Sequence, residues 1–221
     1  MSSFASVVID VDSTLCGVEG IDFLAERRGP EISARISALT DQAMKGEIAL
    51  ESVYAERLTM VDPTPDDLLA LAEAYVSSVA PDAPKAIAAM RAAGVRLTLI
   101  SGGIREAIAP LARQLGFADH EIHAVSIRFS SDGQYLGVDQ PSPLATQRGK
   151  PEVVSRLIET GRLLRPVLGV GDGATDAMLV GVVDKFAAYT GFARRLSVVA
   201  RADLEIASFE ELRKIVLGSR G

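Results

Sequence analysis

Phe4-Ala5-Ser6-Val7-Val8-Ile9-Asp10-Val11-Asp12-Ser13-Thr14 decides the fold. Its β-branched run has no polar alternation, which reads as a strand buried on both faces of a parallel sheet. The run then enters a polar turn carrying two carboxylates. The same pattern recurs twice. Val95-Arg96-Leu97-Thr98-Leu99-Ile100 follows a helix expected over 84–93 and its Gly94 stop, and ends in Ser101-Gly102-Gly103. Val167-Leu168-Gly169-Val170 follows a helix expected over 151–160 and ends in Gly171-Asp172-Gly173-Ala174-Thr175-Asp176. Strands alternating with helices predict an α/β fold with a doubly wound, Rossmann-like parallel sheet. Ligands bind such sheets beyond the carboxyl ends of the strands, where all three turns lie.

Residues 11–94 separate the first two strands, far too many for an ordinary crossover. Apolar spacing predicts helices over 21–28, 31–45, 50–60 and 65–78, with turn signals at Gly29-Pro30, Gly46 and Asp62-Pro63. Residues 16–78 therefore read as a small helical cap over the first turn, and residues 1–15 with 79–221 as the core. Asp132-Gly133 predicts a hairpin between 125–130 and Tyr135–Val138, and 210–217 a closing amphipathic helix.

Composition excludes several function classes. An apolar share of 48% in 221 residues is too high for a disordered chain. With 23 Lys plus Arg against 29 Asp plus Glu, no cationic excess exists to displace counterions from nucleic acid. No apolar run approaches the ~18–20 residues of a membrane helix, and the first residues lack a secretory signal pattern. A cytoplasmic protein with no membrane partner is expected. The single cysteine, Cys16, has no partner for a disulfide and no neighbour in sequence that would activate it, so it reads as packing.

The turns carry the chemistry. If the strand stays extended through Val11, Asp10 and Asp12 point their carboxylates the same way. Asp172 would join them from another strand end. Such a cluster needs a retained proton or a cation, and an all-oxygen donor set favours Mg²⁺. Each Asp taken singly reads first as a turn former or helix cap. Ser101-Gly102-Gly103 is expected to open a helix over 104–115, where free N–H groups would form an anion site; a plain Ser cap is the alternative. Lys150, just before Pro151, could place a point charge on the same anion, whereas an isolated Lys is ordinarily solvated. His120 and His123 flank Glu121 in an expected surface loop, and Arg105 could reach toward the cap.

Taken in chain order, Asp10-Val11-Asp12-Ser13-Thr14, Ser101-Gly102-Gly103, Lys150 and Gly171 to Asp176 resemble the four motifs of the haloacid dehalogenase superfamily. Within it the chain is similar to the phosphoserine phosphatase family. Glu19-Gly20-Ile21-Asp22, Thr40 with Ala43-Met44 and Gly46, Glu56-Arg57-Leu58, the Gly133, Tyr135, Gly137 hairpin and Gly149-Lys150 carry that likeness. Leu50 stands where many members have Phe.

The resemblance implies Mg²⁺-dependent hydrolysis of O-phospho-L-serine through an aspartyl phosphate, the last step of serine biosynthesis. Asp10 would be the nucleophile and Asp12 the general acid and base. The metal would be held by Asp10, Asp172 and the Asp12 carbonyl, with Asp176 or water completing the shell. Ser101, Gly102, Gly103 and Lys150 would hold the phosphate. Glu19 would take the substrate ammonium and Arg57 its carboxylate, with Met44 and Thr175 lining the pocket. The partner implied is this small phosphomonoester; a homodimer is compatible with the sequence, which does not fix oligomeric state. A phosphatase or phosphotransferase for another small phosphomonoester would share the strand-end residues and differ in the cap. A non-catalytic phospho-acceptor domain fits poorly, since such domains are about half this length.

Overall fold

The computed structural model describes residues 3–44, 48, 50–139 and 141–218, excepting the side chains of residues 40, 41, 43, 44 and 50–52. Strand β1 (Ser6–Ile9) is buried along its whole length, as its apolar run requires. Ser6 is its one polar member; it donates to the Leu164 carbonyl at 2.8 Å and accepts from the Leu164 amide at 2.7 Å. Four helices follow: α1 (Gly20–Arg27), α2 (Pro30–Met44), α3 (Leu50–Val61) and α4 (Pro65–Ser77). The chain returns through α5 (Ala83–Ala92), β2 (Arg96–Ile104), α6 (Arg105–Gln114), β3 (Ile122–Val125), β4 (Ile127–Phe129) and β5 (Tyr135–Val138). It ends with α7 (Gly149–Glu159), β6 (Val167–Gly171), β7 (Lys185–Tyr189), α8 (Leu196–Val199), β8 (Leu204–Ile206) and α9 (Phe209–Leu217).

Six strands form a parallel sheet in the order β3-β2-β1-β6-β7-β8, and β4 and β5 form a separate antiparallel hairpin. The chain winds outward from β1 through β2 to β3, then crosses back to β6 beside β1. Strand order therefore reverses between β1 and β6, where doubly wound sheets bind ligands. In register, Ile9 lies level with Leu99 of β2 and Val170 of β6. The residues just beyond these three positions share one edge of the sheet.

The helical segment is tied to the sheet at its base. The two connecting stretches run antiparallel, with Gly17 N–H on Ser78 O at 3.0 Å and Ala80 N–H on Leu15 O at 2.9 Å. Cys16 is buried between them and unpaired, as expected for a packing residue. α1 packs on α2, α3 and α4, and α4 in turn packs on α6 of the sheet domain. A capping box starts α4: Thr64 Oγ1 accepts from the Asp67 amide at 3.2 Å, and Asp67 accepts from the Thr64 amide at 3.0 Å. Arg27 and Arg28 of the α1 end also bind Asp67, so one buried carboxylate fastens two helices.

Three local expectations change. The Ser101-Gly102-Gly103 stretch does not open a helix; β2 runs on to Ile104, and a register irregularity against β3 lies between Ile100 and Ile104. His123 sits in β3 rather than a loop, half-buried, while His120 is exposed. Arg105 does not reach the helical segment; it donates to the carbonyls of Ile122 and Asp119.

Candidate active site

Asp10 follows β1 directly and is buried. Its Oδ1 meets Lys150 Nζ at 2.7 Å, and the same ammonium lies 2.6 Å from Asp176 Oδ1. Lys150 occupies the first turn of α7, where a cation opposes the helix dipole, and it too is buried. Its position is stabilised by the two carboxylates. Burial alone would lower its pKa, but Asp10 and Asp176 hold it above the usual lysine value. It stays protonated across the neutral range. The expectation of a solvated lysine is excluded.

Asp172 follows β6, buried, and accepts from Thr14 Oγ1 at 2.8 Å. Carboxylate oxygens of Asp10, Asp172 and Asp176 lie within 4.8 Å of one another. Burial, then Asp176, pushes the Asp10 pKa well up, with Lys150 opposing. Lys150 meets Asp10 and Asp176 and Arg195 meets Asp172, so three carboxylates share two cations and the cluster still favours a further positive charge. Its donors are all oxygen, which fits a hard divalent cation. Asp176 thus belongs to the carboxylate cluster itself rather than behind it.

Asp12 parts from Asp10. Val11 forms a turn and Ser13 takes a left-handed φ of 51°, so the strand does not stay extended. The Asp12 carboxylate is turned away from the cluster and accepts from Tyr75 Oη at 2.5 Å. Burial, then Glu19, raises its pKa to about 7. The Asp12 carboxylate is not among the three that cluster, Asp10, Asp172 and Asp176.

Ser101 is buried at the end region of β2, and the Gly103 amide donates to its Oγ at 2.9 Å. That bond leaves the Ser101 hydroxyl proton to donate elsewhere. Tyr54 of α3 donates to the Gly102 carbonyl at 2.8 Å, linking the helical segment to this stretch. Arg57 lies one turn further along α3 and pairs with Asp22 at 2.6 Å, not with Glu56 or Asp62. Its Nε is buried, without a hydrogen-bond partner among the described residues. Glu19 accepts from Ser13 Oγ at 2.7 Å and from Arg195 at 3.1 Å. Arg195 also pairs with Asp172. Thr175 is half-buried in the turn after β6. The expectations for Met44 and Leu50 lie outside the described side chains.

Three residues with a place in this site escaped sequence reading: Tyr54, Tyr75 and Arg195. Tyr54 had a usable signal, since it shares the α3 face of Arg57 at a spacing of three. The other two had none that is local.

A buried lysine between aspartates at a topological switch point is a built site for a charged ligand. The haloacid dehalogenase-like hydrolase family model matches residues 7–179. Phosphoserine phosphatase of Arabidopsis thaliana, described as chloroplastic, is 36% identical over 216 residues, covering 95% of this chain and 71% of that one. Phosphoserine phosphatase of Bos taurus is 31% identical, covering 94% and 91%. A phosphoserine phosphohydrolase-like protein from Francisella tularensis shares the fold, with a TM-score of 0.83, 24% identity and coverage of 95% and 98%. The chain belongs to the haloacid dehalogenase-like hydrolases and, within them, to the phosphoserine phosphatases. Among the described residues no helix is long and apolar enough to cross a membrane.

Proposed function

We propose that this chain hydrolyses O-phospho-L-serine to serine and phosphate by way of a phosphorylated Asp10. The observation that carries the reading is the buried Lys150 held between Asp10 and Asp176 at the end of the sheet, with Asp172 beside them. An unreactive phosphomonoester needs its oxygens held and its charge offset before a carboxylate can attack phosphorus. Lys150 and the Ser101 hydroxyl would hold non-bridging oxygens, with the Gly102 and Gly103 backbone leaving room for close approach. Asp10 attacks in line. Asp12 gives its proton to the departing serine oxygen, then takes one from the water that cleaves the acyl phosphate. A pKa of about 7 leaves Asp12 protonated often enough to serve as acid near neutrality.

Asp10, Asp172 and the Asp12 carbonyl would hold Mg²⁺, with Asp176 at the same cluster. When bound, the ion neutralises charge on the carboxylates and the phosphoryl oxygens.

Recognition of the serine part belongs to residues 16–78, which we take as the cap. The unpartnered Arg57 Nε supports a role in gripping the substrate carboxylate. Glu19 already accepts from a guanidinium, which supports its taking an ammonium. Arg195 adds a second cation at the same mouth, and Thr175 lines it. A reducing, cytoplasmic setting suits the lone thiol of Cys16.

Turnover of O-phospho-L-serine with Mg²⁺, compared with phosphothreonine, glucose 6-phosphate and AMP, tests the reading. Phosphoserine should be preferred at least ~10-fold in kcat/KM over glucose 6-phosphate and AMP, which lack the amino-acid ammonium and carboxylate, the worth of one charged contact. Equal rates across the panel would overturn the substrate, and full activity in EDTA would overturn the metal.

A further inference from the structure

Tyr75 lies near the end of α4, fully buried, 63 residues from Asp12 in sequence. It belongs to the helical segment, yet its hydroxyl reaches an acid of the sheet domain. A phenol is protonated at neutral pH, so its hydroxyl is the donor. The 2.5 Å contact to Asp12 Oδ1 therefore runs from tyrosine to carboxylate.

The opposite oxygen has a different setting. A methyl group on Gly103 would stand 2.8 Å from Asp12 Oδ2 and 3.1 Å from Ser101 Oγ. Oδ2 thus lies against the Gly103 backbone, on the side of the phosphate-holding serine. The two oxygens of one carboxylate face two different tasks. Room for the arrangement depends on Gly20 as well, because a methyl group there would stand 2.4 Å from Tyr75 Oη. Glycine at the start of α1 is what allows the tyrosine past.

We propose that Tyr75 is a positioning residue that pins Asp12 by Oδ1, so that Oδ2 is the oxygen exchanging protons with the leaving group. The proposal rests on the phosphatase reading above, in which Asp12 is the general acid. As the P–O bond breaks, its electron pair stays on the departing oxygen and the Oδ2 proton moves to that oxygen. The carboxylate left behind keeps its new charge against the Tyr75 hydroxyl, and the phenol loses no proton. Without that bond the Gly20 amide alone restrains the carboxylate, and the proton is presented in a poorer geometry.

Such a role separates substrates by leaving group. A serine alkoxide departs only with a proton, whereas 4-nitrophenolate departs without one. Tyr75→Phe should lower kcat on O-phosphoserine ~10-fold or more, part of the 10²–10⁴ that general acid catalysis is worth. On 4-nitrophenyl phosphate the same variant should lose less than ~3-fold, because the acid contributes little to that reaction. A purely structural role would lower both rates alike, and that result would overturn the proposal; so would unchanged rates on both.

Gly20→Ala gives an independent arm, since it keeps the tyrosine and displaces its hydroxyl. It should reproduce the selective loss on O-phosphoserine, and in the Tyr75→Phe background it should cost nothing further. Additive losses would contradict a shared contact. Wild-type protein that hydrolyses neither compound would instead sink the phosphatase reading on which the proposal stands.

Discussion

The strand ends and the helical segment reach the same site in opposite conditions. At the strand ends Asp10, Lys150 and Asp176 interlock at 2.6–2.7 Å and are buried. In the helical segment Arg57 leans on Asp22, which is itself half-exposed, and keeps one buried nitrogen unpaired. Glu19, at the mouth of the site, shares Arg195 with Asp172. The groups proposed for chemistry are fixed by buried mutual contacts, whereas those proposed for recognition rest on partners that a zwitterion can replace. Catalytic power needs fixed dipoles. Specificity needs groups whose unmet bonds a wrong substrate leaves unmet.

Removing the nucleophile should produce the largest effect of all. Asp10→Asn is expected to lower turnover ~10⁴-fold or more, as loss of a covalent nucleophile does elsewhere. Its thermal stability should not fall, because the change relieves repulsion with Asp176 and leaves Lys150 paired. Steady-state kinetics and a thermal melt on the same sample check both halves. A drop in stability with activity retained would invert the comparison.

The next largest effect lies in the helical segment. Asp67 accepts from Thr64, Arg27 and Arg28, and although burial alone would raise its pKa, those bonds hold it well below the usual value. Asp67→Asn should cost about 3 kcal/mol in urea unfolding, the scale of a broken buried ion pair. The sign of the pH effect follows from the same shift. A carboxylate with a depressed folded pKa stabilises fully above its unfolded value near ~4, and loses that contribution as pH falls through the folded value. Wild-type stability should therefore drop on acidification below pH ~4, and the Asn variant should show a smaller drop there. Identical pH profiles would mean Asp67 is not the fastening.

Arg57→Ala sharpens the contrast further. It should lower kcat/KM for O-phosphoserine by about 30-fold, near 2 kcal/mol for a charged contact, with little change on an aryl phosphate that has no carboxylate. Equal losses would return Arg57 to a structural role with Asp22. The smallest effect is in pH. Asp12 titrates at about 7 and must carry its proton to serve as acid. The kcat ratio of O-phosphoserine to 4-nitrophenyl phosphate should therefore fall as pH rises through that value. A flat ratio from pH 6 to 9 would remove Asp12 from the acid role.

How far the sequence could be read tracks how local each signal is. β1, β2 and β6 are legible because Val, Ile and Leu runs end abruptly in polar turns. β7 is not, since Phe186-Ala187-Ala188-Tyr189 carries two alanines and no β-branched residue. β8 has three residues, too few for a period. Helix ends fall close to expectation wherever Pro or Gly punctuates them, as at Pro65 and Gly94. Ser101-Gly102-Gly103 misleads because two glycines before a helical pattern look like its start, while pairing with β3 carries the strand on to Ile104. Lys150 is legible as a motif, yet its burial is not, because that depends on Asp10 and Asp176 arriving from elsewhere. Arg195 lies 176 residues from Glu19 and Tyr75 63 from Asp12, so nothing local marks them.

In the proposed reaction a protein carboxylate receives the phosphoryl group before water does. Serine phosphate made chiral at phosphorus with three oxygen isotopes follows that transfer directly, by the configuration of the group passed on to an acceptor alcohol in place of water. Two successive in-line displacements, first by Asp10 and then by the acceptor, predict overall retention. Inversion would mean a single direct displacement, and would contradict the role assigned to Asp10.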